Sequence, residues 1–282
     1  MLRQRVITAL VLVAVLLATL MSASRWPFAL LTLALMAAGG WEWARLNQSA
    51  PAASLAMGAA VALAGLLSVL AGWVDDAPPA LWRVAAVIWV AGGALALGRG
   101  TESWRHLPRL GRLVLGLIAI WLAWLALAHA RSIGINFMLS VLCLVWMADV
   151  AAYFGGKAFG RRKLAVTISP GKSWEGVWSG MAGVLVLSLV WVWLDGHAPV
   201  DGPSLYTRLY TAVGSMALAP ALLALCGLSV AGDLIESMVK RAAGAKDSSQ
   251  LLPGHGGVLD RVDALLPVLP AALALITWRT PP

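Results

Sequence analysis

Apolar residues run through this chain in unbroken blocks of about 20 positions, separated by short polar stretches. Blocks that are apolar on every face and this long predict helices that cross a bilayer rather than helices that lie on a soluble core. Their approximate limits are 6–23, 27–44, 53–74, 80–98, 111–130, 135–156, 174–194, 209–236 and 262–278. The expected fold is all-α, a polytopic integral membrane helix bundle of about nine transmembrane helices. The first block follows Met1-Leu2-Arg3-Gln4-Arg5 and outlasts the apolar core of a signal peptide, so it is read as a retained helix. Composition agrees, with 60% hydrophobic and only 12% charged residues among 282. No soluble domain, long linker, low-complexity tract or internal repeat interrupts the pattern, so residues 1–282 form a single membrane domain.

Charge gives the expected orientation. With the N-terminus cytoplasmic, the inner segments hold 16 of the 21 Lys and Arg: Arg3, Arg5, Arg45, Arg99, Arg105, Arg109, Arg112, Lys157, Arg161, Arg162, Lys163, Lys172, Lys240, Arg241, Lys246 and Arg261. The outer segments keep Arg25, Arg83, Arg131, Arg208 and Arg279, an asymmetry that the positive-inside rule requires. The net charge of +8 is thus spread over short loops, which argues against nucleic acid as a partner. Cys143 and Cys226 fall inside apolar spans and read as packing residues. Trp26, Trp73, Trp82, Trp104, Trp174 and Trp278 lie near span ends, as anchors in the headgroup region would. Asp75, Asp76, Asp195 and Asp201 fall in outer loops and read as solvated charges. Gly176 and Gly180 leave room for another helix to approach, from the same subunit or a second one.

The polar residues that remain are concentrated. Gly232 to Asp263 holds five carboxylates, Asp233, Glu236, Asp247, Asp260 and Asp263, and four fixed positive charges, Lys240, Arg241, Lys246 and Arg261. Asp233, Glu236, Ser237 and Lys240 share a helix face, and Asp260 and Asp263 share another where the next helix starts. Between them lies Pro253-Gly254-His255-Gly256-Gly257, whose glycines allow positive φ and close backbone approach to a ligand. Two carboxylate-bearing helix ends joined by a basic glycine loop suit a divalent cation and a polyphosphate. The plainer reading is that these acids and bases pair with one another in a solvated loop.

A second polar stretch runs from Asp149 to Gly176. Asp149 lies in the cytoplasmic third of its span, where a carboxylate needs a partner or a polar cavity. Gly171-Lys172-Ser173 lacks the earlier glycine of a nucleotide-binding P-loop, since Val166 stands there. Ser169-Pro170-Gly171-Lys172-Ser173 reads instead as a turn into the next helix, with Ser173 as its cap and Glu175 in its positive first turn. Lys172 and the run Arg161-Arg162-Lys163 can neutralise phosphates or simply mark the inner side.

Ser237 to Asp263, SMVKRAAGAKDSSQLLPGHGGVLDRVD, resembles without departure the signature of the phosphatidate cytidylyltransferase, or CDP-diacylglycerol synthase, family. Gly232-Asp233-Leu234-Ile235-Glu236 and the Asp149 to Gly176 stretch also resemble its bacterial members. The detailed likeness covers residues 135–282, the catalytic helices and cytoplasmic loops, whereas residues 1–130 match in hydropathy and have no assigned role. The resemblance implies transfer of the cytidylyl group from CTP to phosphatidic acid, releasing pyrophosphate, in a homodimer of the bacterial inner membrane whose site faces the cytoplasm. It also implies magnesium held at Asp233 and Asp260, and leaves open whether K+ or a second Mg2+ completes the site. Catalytic roles are then expected for Asp233, Asp260, Lys246, Asp247, Arg261 and Asp263, with Asp247 and Asp263 orienting Lys246 and Arg261. Substrate contacts are expected from Asp149, Ser169, Lys172, Lys240, Arg241, His255, Gly256 and Gly257. Two other readings fit the bare pattern: a CTP-dependent membrane lipid kinase, and an ion-coupled transporter, for which Pro267 and Pro270 would break the last span.

Overall fold

A computed structural model describes residues 2–278, and the side chains of residues 2–6 and 9 fall outside what it describes, as does Arg279. The order is α1 Leu2–Leu20, α2 Trp26–Leu46, α3 Pro51–Leu70, α4 Pro79–His106, α5 Arg109–Ile133, α6 Ile135–Phe159, β1 Lys163–Ala165 and β2 Ser169–Ser173. It continues with α7 Trp174–His197, α8 Leu205–Val213, α9 Ser215–Ala242, α10 Leu259–Val262 and α11 Leu265–Ile276. Among the described residues six helices, α3, α4, α5, α6, α7 and α9, are long and apolar enough to cross a membrane. The architecture is a helix bundle with one departure from the all-α expectation: β1 and β2 pair as an antiparallel hairpin where a plain turn was expected.

Three of the sequence-derived spans change shape. The block 209–236 is divided at Gly214, whose φ of 81° suits glycine, and α9 continues to Ala242, so Lys240 and Arg241 ride on a helix. The block 262–278 becomes the single turn α10 followed by α11, 12 residues that rise about 18 Å. That is too short to span a bilayer alone, and Leu265 to Ala274 are instead buried at the centre of the bundle against α4, α5 and α9. α11 also runs through Pro267 and Pro270 without a break. Within α4 the kink falls at Gly100, with φ 73° and ψ −172°.

Loops sort to two ends. At one end Arg25 pairs with Asp75, Asp201 accepts the amide N–H groups of Ile135 and Asn136 at 2.5 and 2.9 Å, and Asp195 accepts from Asn136, Ser204 and Thr207. Asp75, Asp195 and Asp201 are therefore tied to neighbours rather than simply solvated. At the other end Trp104 donates to Asn47, Arg105 to the carbonyl of Ala242, and Arg241 to the carbonyl of Ile168. This is the end that collects the basic loops. Trp82 and Trp104 are buried inside the bundle, not placed at its lipid-facing rim, while Trp26, Trp174 and Trp278 are exposed. Cys143 and Cys226 are free thiols.

The partner of the Gly176 and Gly180 face is α6 of the same chain. A Cβ at Gly176 would lie 2.9 Å from the carbonyl oxygen of Ala152, and one at Gly180 would lie 2.8 Å from that of Ala148. Small residues on both helices thus let the backbones touch, and the contact fixes the hairpin that joins them. Gly180→Leu should force α6 and α7 apart and cost about 1–3 kcal/mol of stability. Thermal unfolding in detergent should show the loss for Gly180→Leu and none for Gly196→Ala, because Gly196 has open space around it.

Candidate active site

The site is built on one face of α9. At about 100° per residue, Asp233, Glu236, Ser237 and Lys240 point one way. Ile235 and Met238 point the other way, into an apolar cavity of about 320 Å³ shared with α4 and α5. Charge is confined to one side of the helix.

Three elements close over that face. From the hairpin, Lys172 reaches Asp233, Nζ to Oδ2 2.5 Å. From α10, Asp260 accepts from Lys240 at 2.6 Å, and Lys240 also pairs with Glu236 one turn back on its own helix. From the junction of α10 and α11, Asp263 comes within electrostatic reach of Asp233. Asp260 and Asp263 start the same turn but face different partners, one the ammonium of Lys240 and the other the carboxylate of Asp233. The second oxygen of Asp260 is held by the amide N–H groups of Ser248 and Gly257 at 2.9 and 2.8 Å and by the Ser248 hydroxyl at 2.9 Å. Burial alone would raise the Asp260 carboxyl, but these donors and Lys240 outweigh it and hold it below the usual carboxylate range.

Sequence reasoning assigned no role to residues 1–130, and the structure brings one of them into the site. Glu42 of α2 is fully buried. Its Oε1 accepts from Ser249 Oγ at 2.5 Å and the amide of Val258 at 2.9 Å, and its Oε2 accepts from the amide of Leu259 at 2.8 Å and Ser248 Oγ at 3.1 Å. The signal was available. Glu42 is the first acidic residue of the chain and the sole one inside the first five apolar spans, so the reasoning that marked Asp149 applies to it equally.

The other expected residues divide. Asp149 lies within electrostatic reach of Asp233 and Lys172, and Ser169 opens β2, the strand that carries Lys172. Arg241 binds the hairpin carbonyl of Ile168 and the carbonyl of Ala245, so its role in these contacts is to fasten loops. Arg261 donates to the carbonyl of His255, at 3.0 Å from Nε, and is not oriented by Asp263 as expected. Lys246 and Asp247 are exposed beside the cluster. Gly256 has φ 81° in the turn bridged by Leu252, and Gly257 packs where a Cβ would overlap Ser248 and Glu42. Arg161 and Arg162, with Lys157, surround a separate recess of about 880 Å³ walled by the stacked Trp174 and Trp178. There Glu175 accepts the amides of Arg161 and Arg162, at 3.0 Å to the first, while Ser173 caps α7 as expected by accepting from Gly176.

Counting what meets at this end of α9, six carboxylates (Glu42, Asp149, Asp233, Glu236, Asp260 and Asp263) face two ammonium groups, Lys172 and Lys240. Glu236 is 1% exposed, and neither of its oxygens has a well-formed hydrogen bond although Lys240 lies close to one. The acids run from the bundle interior, where Glu42 and Glu236 are buried, to its surface, where Asp149 is exposed, and carboxylate oxygens are the donor type that Mg2+ takes. Among the described residues no three acidic, His or Cys side chains converge as a ready-made cage.

The cytidylyltransferase family model matches residues 3–278. The chain belongs to the cytidylyltransferase family. It is 40% identical over 291 residues, covering all of both chains, to a Pseudomonas aeruginosa protein named phosphatidate cytidylyltransferase. A Haemophilus influenzae protein of the same name is 37% identical over 296 residues, with 96% of each chain covered. One from Brucella melitensis is 40% identical over 187 residues, 66% of this chain and 62% of its own.

The close approach at Gly257 is directly testable. Gly257→Ala should push Ser248 and Glu42 apart and lower stability by about 1–3 kcal/mol. Gly171→Ala, at a position with no neighbour within 4 Å, should stay within about 0.5 kcal/mol in the same unfolding assay.

Proposed function

We propose that this chain acts as a phosphatidate cytidylyltransferase, converting CTP and phosphatidic acid to CDP-diacylglycerol and pyrophosphate. The observation that carries the reading is the carboxylate cluster at one end of a membrane bundle, to which the family signature contributes Asp260 and Asp263 and the stretches that resemble bacterial members contribute Asp149, Asp233 and Glu236. The family and the relatives' names support it, and nothing in them favours the lipid kinase or the transporter.

In the reaction a phosphate oxygen of phosphatidic acid forms a bond to the α-phosphorus of CTP while the bond from that phosphorus to the bridging oxygen breaks. Pyrophosphate leaves with the electron pair. The attacking oxygen is already anionic near neutral pH, so the protein's task is alignment and charge neutralisation rather than proton removal. Asp233 and Asp260 would hold Mg2+, which when bound neutralises phosphate charge and polarises the α-phosphorus. A second cation, K+ or another Mg2+, would offset the remaining carboxylate excess. Lys172 and Lys240 each sit against one of these aspartates and can turn to phosphate oxygens, while Lys246 and Arg261 stand at the rim for the leaving pyrophosphate. His255, Gly256 and Gly257 would shape the phosphate-facing turn.

The orientation proposed puts the N-terminus and the site on the cytoplasmic side of a bacterial inner membrane, with α11 packed inside the bundle and not counted as a ninth crossing. The meeting of the basic loops at the same end as the carboxylates supports it. A homodimer is proposed on the family resemblance.

Purified protein given CTP, phosphatidic acid and Mg2+ should release pyrophosphate and form CDP-diacylglycerol, and omission of Mg2+ should stop it. Release of CDP instead would establish a kinase. Asp233→Asn and Asp260→Asn should each lower turnover by about 100-fold or more while the protein stays folded. Activity retained in both would remove the metal assignment.

A further inference from the structure

Asp260 does not choose its own position. Apart from Lys240, every donor that holds it comes from the loop between α9 and α10: the amide and hydroxyl of Ser248 and the amide of Gly257. That loop has little regular structure, with a single bridge between Leu252 and Gly256. What fixes it lies outside it. The Glu42 carboxylate, on a helix buried against α10 and the loop, gathers Ser248, Ser249, Val258 and Leu259, so that both ends of the loop close on one side chain. Ser248 Oγ stands between the two acids, 3.1 Å from Glu42 Oε2 and 2.9 Å from Asp260 Oδ2. A hydroxyl carries one proton, so it serves one carboxylate at a time, and the two acids are linked through it.

We propose that Glu42 is a positioning residue for the cytidylyl transfer: it clamps the two ends of the Ser248 to Leu259 loop and, through Ser248 and Gly257, sets the direction in which Asp260 faces a cation. The inference rests on the function proposed above. It gives the N-terminal half of the chain a part in the chemistry, with Glu42 touching neither substrate nor cation. A carboxylate is suited to the task because all four of its partners are donors. Glutamine at the same place would turn an NH2 group toward two of them and leave those buried donors unpaired. Aspartate keeps the acceptor pair but falls one methylene short.

The test uses the full-length protein in detergent and two separate readouts, Mn2+ binding followed by electron paramagnetic resonance in the absence of substrate, and the Mg2+ dependence of CTP turnover. Glu42→Gln should weaken Mn2+ binding and raise the half-saturating Mg2+ concentration, each by about 10–100-fold, as loss of a partner behind a metal ligand does. The KM for phosphatidic acid should change by less than about 3-fold, since the lipid-facing walls are untouched. Glu42→Asp should recover part of the cation affinity. Ser248→Ala, which leaves Glu42 its other three partners, should shift both readouts in the same direction by about 3–10-fold. Wild-type cation affinity in folded Glu42→Gln, or a fall in turnover with unchanged cation affinity, would overturn the proposal. If Glu42→Gln does not fold, unchanged Mn2+ binding by Ser248→Ala overturns it instead. Should the wild-type protein fail to convert CTP and phosphatidic acid, the functional reading is lost, and the Mn2+ measurements still decide whether Glu42 positions Asp260.

Discussion

Negative charge gathered where water is scarce is the constraint around which this bundle is arranged. Six carboxylates lie along one end of α9 with two ammonium groups among them, and where the acids are buried, as Glu42 and Glu236 are, leaving one unpaired is costly. Every local device nearby eases it. Lys172 is delivered to Asp233 by a hairpin that α9 itself fastens through Arg241. Lys240 is shared by Glu236 and Asp260. Backbone amides are turned toward Asp260 and Glu42 by glycines at 256 and 257 that no larger residue could replace without moving the acids. The surplus that these devices leave is the ground on which a cation is proposed at the site.

The bundle supplies the rigidity that such an arrangement needs. α11 is too short to cross a membrane and is used as internal packing, a wall against which α9 is set. Gly232 makes this possible, since a Cβ there would lie 2.5 Å from the carbonyl oxygen of Asp263. The junction carrying Asp263 is thereby brought against the helix carrying Asp233. On another side of α9, the tight contact between α6 and α7 aims β2 and its lysine. Helix packing and site geometry are consequently the same problem, solved with small residues at the crossings.

Much of this was legible before the structure, and for a physical reason. In a chain this apolar, a charged residue is expensive unless it is solvated, paired or functional, so the concentration of charge between Gly232 and Asp263 stood out. The spacing of Asp233, Glu236 and Lys240 placed them on one face correctly. What the pattern could not convey were contacts between residues distant in the sequence. Arg261 was expected to lean on Asp263 and leans on a carbonyl instead. Ser169 to Ser173 contained a cap that was readable and a strand that was not, because the pairing partner at Lys163 to Ala165 has no pattern of its own. Glu42 was missed because its helix matched by hydropathy alone, although its cost in an apolar span was as plain as that of Asp149.

The separation between Glu42 and its partners bears on how the protein is made. Ser248, Ser249, Val258 and Leu259 lie 206 to 217 residues further along the chain. During synthesis α2 enters the membrane long before any of them leave the ribosome, and an acid without donors in that setting is unstable. Until that loop arrives, the acid needs water, another partner or a proton to offset its burial. The Glu42 contacts can close only once Ser248 to Leu259 have been made, and a chain truncated before Ser248 would lack all four of these donors.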